Sequence, residues 1–205
     1  MRLTPPEEDS LVVVTGLPRA GTSMLMQMLA AGGMTILTDG RRAPDADNPR
    51  GYLEFEPVKR LLKDSKWLPE ARGKAVKIVS PLLASLLASS PNALLPCRII
   101  LTERDLDEVL DSQDLMLARR KQDIVSTPER RRMLKNEYAR TTARLKAMLS
   151  ARPLTLVLTI HYRDAVANPR AVAEHLNAFL GGGLDVAKMA ASVDPGLHRN
   201  RGNLQ

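Results

Sequence analysis

The sequence predicts an α/β fold in three layers, with a mostly parallel central sheet flanked by helices. Three observations point to it. The stretch Leu11 to Leu29, LVVVTGLPRAGTSMLMQML, runs from an apolar strand through a glycine-bounded loop into a helix-compatible segment. Further along, strand-like and helix-like segments alternate, the pattern of parallel strands joined by crossover helices. The last strand-like run, Leu154 to Ile160, lacks the apolar–polar alternation of a half-solvated strand, as expected where both faces are covered.

Each element has its own local reason. Leu11 to Val14 is a β-branched and apolar run. In the helix opened by Thr22 and Ser23, the residues Met24, Leu25, Met28 and Leu29 share one face, Met26 and Ala30 widen it, and Gly32-Gly33 ends it. Met34 to Leu37 reads as a second strand. From Thr38 to Leu53 runs a polar, proline-broken stretch, long for a connection in a compact domain and of the kind that carries function. A helical pattern resumes from Glu56 to Lys63, and Ala75 to Val79 reads as a buried strand stopped by Ser80-Pro81. Leu82 to Leu87 fits a helix and Arg98 to Glu103 a further strand. Asp105 with Glu108 three residues on makes a capping box for a helix to Arg119. Thr127-Pro128 supplies an N-cap and first residue for a long helix to about Leu149, with Met133, Leu134, Tyr138, Leu145, Met148 and Leu149 inward. Asn168-Pro169 opens a final helix that ends near Leu180 at Gly181.

Bulk properties narrow the function classes. A chain of 205 residues suits one domain, expected to span 1–205, and is long enough to bury a core without staples. The single cysteine, Cys97, excludes an internal disulfide framework and any CxxC metal site, which suits a reducing cytoplasm. No apolar run is long enough for a signal peptide or a membrane span, so a cytoplasmic protein is expected. The net charge of +7 admits polyanionic partners, but aromatics at 3% leave few stacking platforms for single-stranded nucleic acid, and no nucleic-acid partner is expected. The basic runs at 119–121 and 130–132 read as a solvated face or as a lid over an anionic ligand.

The chemistry concentrates at predicted strand ends, where ligands sit in such sheets. Gly16 to Gly21 has the spacing of the Walker A loop, whose backbone N–H groups and following helix N-terminus hold an anion. The lysine of that motif is missing: Thr22 stands in its place, and the cation, Arg19, has moved inside the loop. After the strand Arg98 to Glu103 comes Arg104, and eight residues on, Ser112. The acidic start of that helix would repel an anion, so a phosphate there falls to Arg104 and the serine.

A Pro-Arg-x-Gly-Thr-Ser loop after the first strand, an Arg with a Ser eight residues later, and a Tyr after the last strand together resemble the P-loop sulfotransferases. The similarity is nearest to bacterial sulfotransferase-like proteins with a tyrosylprotein-type loop, over roughly Leu11 to Leu180. The resemblance implies a P-loop NTPase-like fold and transfer of a sulfuryl group from 3′-phosphoadenosine 5′-phosphosulfate (PAPS), without a metal, to a hydroxyl or amine of a small-molecule or peptide acceptor. Pro18, Arg19, Ala20, Gly21, Thr22 and Ser23 then match the 5′-phosphosulfate loop, with Arg19 the main catalytic cation. Arg104 and Ser112 match the grip on the 3′-phosphate, and Tyr162 matches a tyrosine beside the adenine. Arg199 and Arg201 are similar to a basic element near the 3′-phosphate. The histidine base of the cytosolic branch is absent, since Lys77-Ile78-Val79-Ser80-Pro81 stands there. Counting from the loop, as in the tyrosylprotein-type branch, implies Asp39 as the base, and the end of a second strand would bring Asp39 to the rim of the loop.

Two other readings stay open on the residues alone. One is a P-loop nucleotide kinase or hydrolase with Glu103 as its acidic metal residue and 119–132 as a lid, against which the missing loop lysine argues. The other is a non-catalytic nucleotide-binding module. Asp39 also reads as a turn residue before Gly40, Ser112 and Tyr162 as packing, and Arg104 as a partner of Asp107 or Glu108.

Overall fold

β1 (Leu11–Gly16) is buried at every position, and its side chains alternate between two cores. Leu11 and Val13 enter one, Val12 and Val14 the other. That alternation is the period-2 geometry of a strand covered on both faces. The computed structural model describes residues 10–45, 48–94, 96–119, 126–194 and 196. After β1 come α1 (Thr22–Ala31), β2 (Ala75–Lys77), α2 (Ser80–Ser89), β3 (Cys97–Glu103), α3 (Leu106–Arg119) and α4 (Pro128–Ser150). β4 (Thr155–His161), α5 (Tyr162–Ala167), α6 (Pro169–Phe179) and α7 (Val186–Ala191) complete the chain.

The four strands form one parallel sheet in the order β2-β1-β3-β4. α2 and α4 pack on the face that receives Leu11, Val13, Ile99 and Leu101, whereas α1, α6 and α7 cover the face that receives Val12, Val14 and Ile100. β1 and β3 run in register from Leu11↔Cys97 to Gly16↔Thr102. At that last pair a Cβ on Gly16 would stand 2.6 Å from Thr102 Cγ2 and 2.8 Å from its carbonyl oxygen, so only glycine lets the loop leave the sheet there. The architecture is the three-layer α/β arrangement expected from the sequence.

Several elements differ from the sequence expectation for identifiable reasons. Met34 to Leu37 is not a strand but a single parallel bridge, Ile36↔Ala75, because β2 is three residues long and has little edge left to pair. Glu56–Arg60 forms a 3-10 turn rather than an α-helix to Lys63, and Leu68–Ala71 a second one. β2 ends at Lys77, and Pro81, which reads as a stop, instead occupies the first turn of α2, where its missing N–H costs nothing. Asp105 caps α3 through Oδ1, which accepts from the Asp107 and Glu108 N–H groups. The Glu108 side chain turns away from that cap, so the capping box is half formed. Thr127 caps α4, its Oγ1 accepting from Arg130 N. Leu145 and Leu149 are buried as expected, but Met133 is 70% exposed. β4 is an edge strand covered unevenly: Ile160 is buried while Val157 is 40% exposed. No helix among the described residues is long and apolar enough to cross a membrane.

Candidate functional site

The loop between β1 and α1 is held in shape by its own backbone. Ala20 N–H donates to Leu17 O at 3.0 Å, and Thr102 Oγ1 on β3 donates to Ala20 O at 2.9 Å. Arg19 takes a left-handed conformation, φ 71°, uncommon for a residue with a side chain. Gly21 follows at φ 102° as the N-cap of α1, with no side chain capping the helix. A Cβ at Gly21 would lie 2.5 Å from Tyr162 Cδ2, so the glycine brings the loop against that ring.

Arg19 and the Arg104–Ser112 pair converge on this loop. Arg19 Nε donates to Ser112 Oγ at 2.9 Å, and Arg104 Nη1 donates to Arg19 O at 3.2 Å. Arg104 lies 4.3 Å above the centre of the Tyr162 ring, a cation–π arrangement. Burial pushes the Tyr162 phenol up from its ordinary pKa, with the Arg104 guanidinium pulling the other way. Behind Arg104, the fully buried Glu108 accepts from Arg104 Nε at 3.0 Å and from Arg163 Nη2 at 2.6 Å. One carboxylate on α3 thereby fixes cations from the end of β3 and from α5.

Two cavities flank the loop. The first, about 310 Å³, is lined by Pro18, Arg19, Gly21, Thr22 and Ser23, with Arg104 and Tyr162 at one side. The second, about 700 Å³, opens at the carboxyl ends of β3 and β4 and is bounded by Ala20, Arg104 and Tyr162 on the loop side. Ser112 joins the site through Arg19. Asp39 lines neither cavity. Its Oδ1 accepts from Arg41 N–H at 3.1 Å and its Oδ2 from Glu56 N–H at 2.8 Å, the use a turn makes of an aspartate. Arg199 and Arg201 lie outside the described residues. Glu103 pairs with Lys146 at 2.6 Å. Among the described residues, no three His, Cys, Asp or Glu side chains are gathered to hold a metal ion.

The first cavity also contains residues that the sequence reading did not place in a site. Lys77, the last residue of β2, has a side chain only 6% exposed. Its Nζ donates to Ser23 Oγ at 3.2 Å, Tyr52 O at 3.0 Å and Glu54 Oε1 at 3.1 Å. An ammonium has three donors, and all three are used. Burial lowers the Lys77 pKa, and the Glu54 carboxylate opposes that shift. Glu54 Oε1 also accepts from Arg42 Nη1 at 2.9 Å, while Arg42 stacks 3.2 Å from the Tyr52 ring centre. For Glu54, burial raises the pKa, but Lys77 and Arg42 together outweigh it and leave the carboxyl below its ordinary 4.5. The signal in the sequence was a lysine inside the apolar strand-like run Ala75 to Val79. Nothing local marks Glu54, which reaches the site from an irregular segment.

The loop thus has its cations supplied from three places: Arg19 within it, Lys77 on one neighbouring strand end and Arg104 on the other. Such an arrangement can hold an extended anion with charge at more than one point.

No family model matches the sequence, and no curated protein matches it. Solved structures do match. The mouse sulfotransferase SULT7A1 complexed with PAP aligns at TM-score 0.50 and 16% identity, over 91% of this chain and 64% of that one. A sulfotransferase from Alicyclobacillus acidocaldarius gives 0.51 and 17%, over 92% and 87%. The sulfotransferase domain from the curacin biosynthetic pathway gives 0.55 and 17%, over 94% and 87%. The chain spans just under two thirds of the mouse enzyme's length. At these identities the likeness concerns architecture: this chain has the P-loop fold seen in sulfotransferases.

Proposed function

We propose that the protein is a sulfotransferase that takes PAPS as donor and transfers its sulfuryl group to a hydroxyl or amine of a small-molecule or peptide acceptor. The observation that carries this reading is the junction of Arg19 with Ser112 and Arg104, which ties a second anion-holding pair to the phosphate loop. PAPS carries a phosphosulfate at C5′ and a separate phosphate at C3′. Its 5′ end fits the loop from Pro18 to Ser23 and the N-terminus of α1. Its 3′-phosphate fits Arg104 and Ser112, and its adenine fits the larger cavity next to Tyr162. The bound PAP in the mouse neighbour's structure supports the same donor. An ATP site has less support, since its phosphates form one linear chain and call for a loop lysine and a metal-holding acid. Here Glu103, the acid considered for that role, is neutralised by Lys146.

In the reaction an acceptor oxygen or nitrogen attacks sulfur in line with the departing phosphate oxygen. Arg19 and Lys77 offset the charge on the sulfuryl group and on the leaving 3′-phosphoadenosine 5′-phosphate (PAP), and the loop N–H groups orient them. A sulfuryl group of single charge needs no bridging metal. Incubation with 35S-labelled PAPS and a panel of phenols, alcohols and amines tests the proposal. Release of PAP with label in a sulfated product, undiminished by EDTA, is the expected outcome. PAPS left intact beside rapid Mg-dependent ATP turnover would contradict it.

A further inference from the structure

Sulfuryl transfer to a hydroxyl needs a group to take the proton, and among the described residues the carboxylates lining the first cavity are Glu54 and Asp194. Asp194 is 40% exposed and faces Arg50 at 3.6 Å. Glu54 is 24% exposed and is tied to the loop, since its Oε1 meets the Lys77 ammonium that also contacts Ser23 Oγ. The hydrogen bonds from Lys77 and from Arg42 both fall on that one oxygen. Among the described residues none donates to Oε2, which leaves this atom for a hydroxyl entering the cavity. Lys77 is unsuited to the role because its three donors are engaged. Asp39 is unsuited because both of its oxygens accept backbone N–H bonds outside the cavity.

Resting on the sulfotransferase reading above, we propose that Glu54 Oε2 is the proton acceptor of the transfer, with Lys77 and Arg42 holding the carboxylate in place. The acceptor oxygen forms its bond to sulfur while the bond from sulfur to the 5′-phosphate oxygen breaks and its electron pair leaves with PAP. The acceptor proton passes to Glu54, which releases it to solvent after the products depart. No electrons are exchanged, and donor plus alcohol gives sulfate ester, PAP and one proton. Arg42 serves as a positioning residue, its stack on Tyr52 setting the angle from which it grips Glu54.

The test follows PAP release from PAPS, which reports transfer to any acceptor, water included, in parallel with calorimetry of PAP binding. Glu54→Gln keeps an oxygen for Lys77 and Arg42 but does not take a proton. It is expected to lower turnover about 100-fold or more, leave PAP affinity within about threefold, and remove the acidic limb of the pH–rate profile, while Glu54→Asp restores part of the rate. Unchanged turnover in Glu54→Gln, or an acidic limb that persists in it, overturns the assignment while the donor reading stands. A loss confined to Asp39→Asn does the same and returns the role to Asp39. Wild-type protein that binds no PAP, or binds it without releasing PAP from PAPS, overturns the sulfotransferase reading itself.

Discussion

Arg19 and Gly21 both hold positive φ within three residues, and each has a structural consequence that a substitution exposes. At Gly21 a methyl group would meet the Tyr162 ring at 2.5 Å in a backbone conformation that disfavours side chains. Gly21→Ala is expected to cost about 1–2 kcal/mol from the backbone alone, read by urea unfolding, and to weaken PAP binding because Tyr162 and the Arg104 above it must shift. Glu54 carries a pH signature. Its folded pKa is depressed below the ordinary 4.5, by Lys77 and Arg42 acting against burial. The stability it contributes is therefore fully present above about pH 4.5 and is lost as pH falls through the folded value. In acid titrations followed by circular dichroism, the stability gap between wild type and Glu54→Gln is expected to shrink below pH 4.5. A gap that widens there would contradict the assigned direction.

At the scale of elements, the site depends on α3 and α5 being joined. Glu108, with no exposed side-chain surface, binds Arg104 from the end of β3 and Arg163 from the first turn of α5. Glu108→Ala removes the carboxylate from a guanidinium only 7% exposed and is expected to cost about 3–5 kcal/mol, measured by urea unfolding. Where the protein still folds, affinity for PAP should fall more than affinity for 5′-AMP, since only PAP presents a 3′-phosphate to Arg104. The elements legible in the sequence were those with local signals: the glycine interval of the loop, the Thr127 cap and the Pro169 start of α6. Met34 to Leu37 was misread because an apolar run does not reveal whether its neighbour is long enough to pair. Met133 was misread because the first turns of α4 stay at the surface, and the helix is fully buried at Leu145 and Leu149.

Across the whole molecule, the sheet order β2-β1-β3-β4 explains why the site is split in sequence. β1 is central, so its loop is flanked by the ends of β2 and β3, which bring Lys77 and Arg104 to either side of it. Arg104 and Ser112, which both meet Arg19, lie close in sequence because they belong to one strand–helix unit. The members of the Lys77–Glu54 pair stand 23 positions apart, across a segment with two 3-10 turns, and no local spacing links them. Asp39 was drawn to the rim by a strand that did not form, and Arg199 and Arg201 lie outside the described residues. What the fold brings together is one cation in the loop and others on either side, and under the proposed function they hold a nucleotide phosphorylated at two separate positions. Calorimetry of PAP against ATP with magnesium, each repeated in EDTA, tests this most directly. PAP binding that is tight, indifferent to EDTA and weakened at least tenfold when the 3′-phosphate is removed is the expected result. Preference for ATP with magnesium over PAP would contradict it.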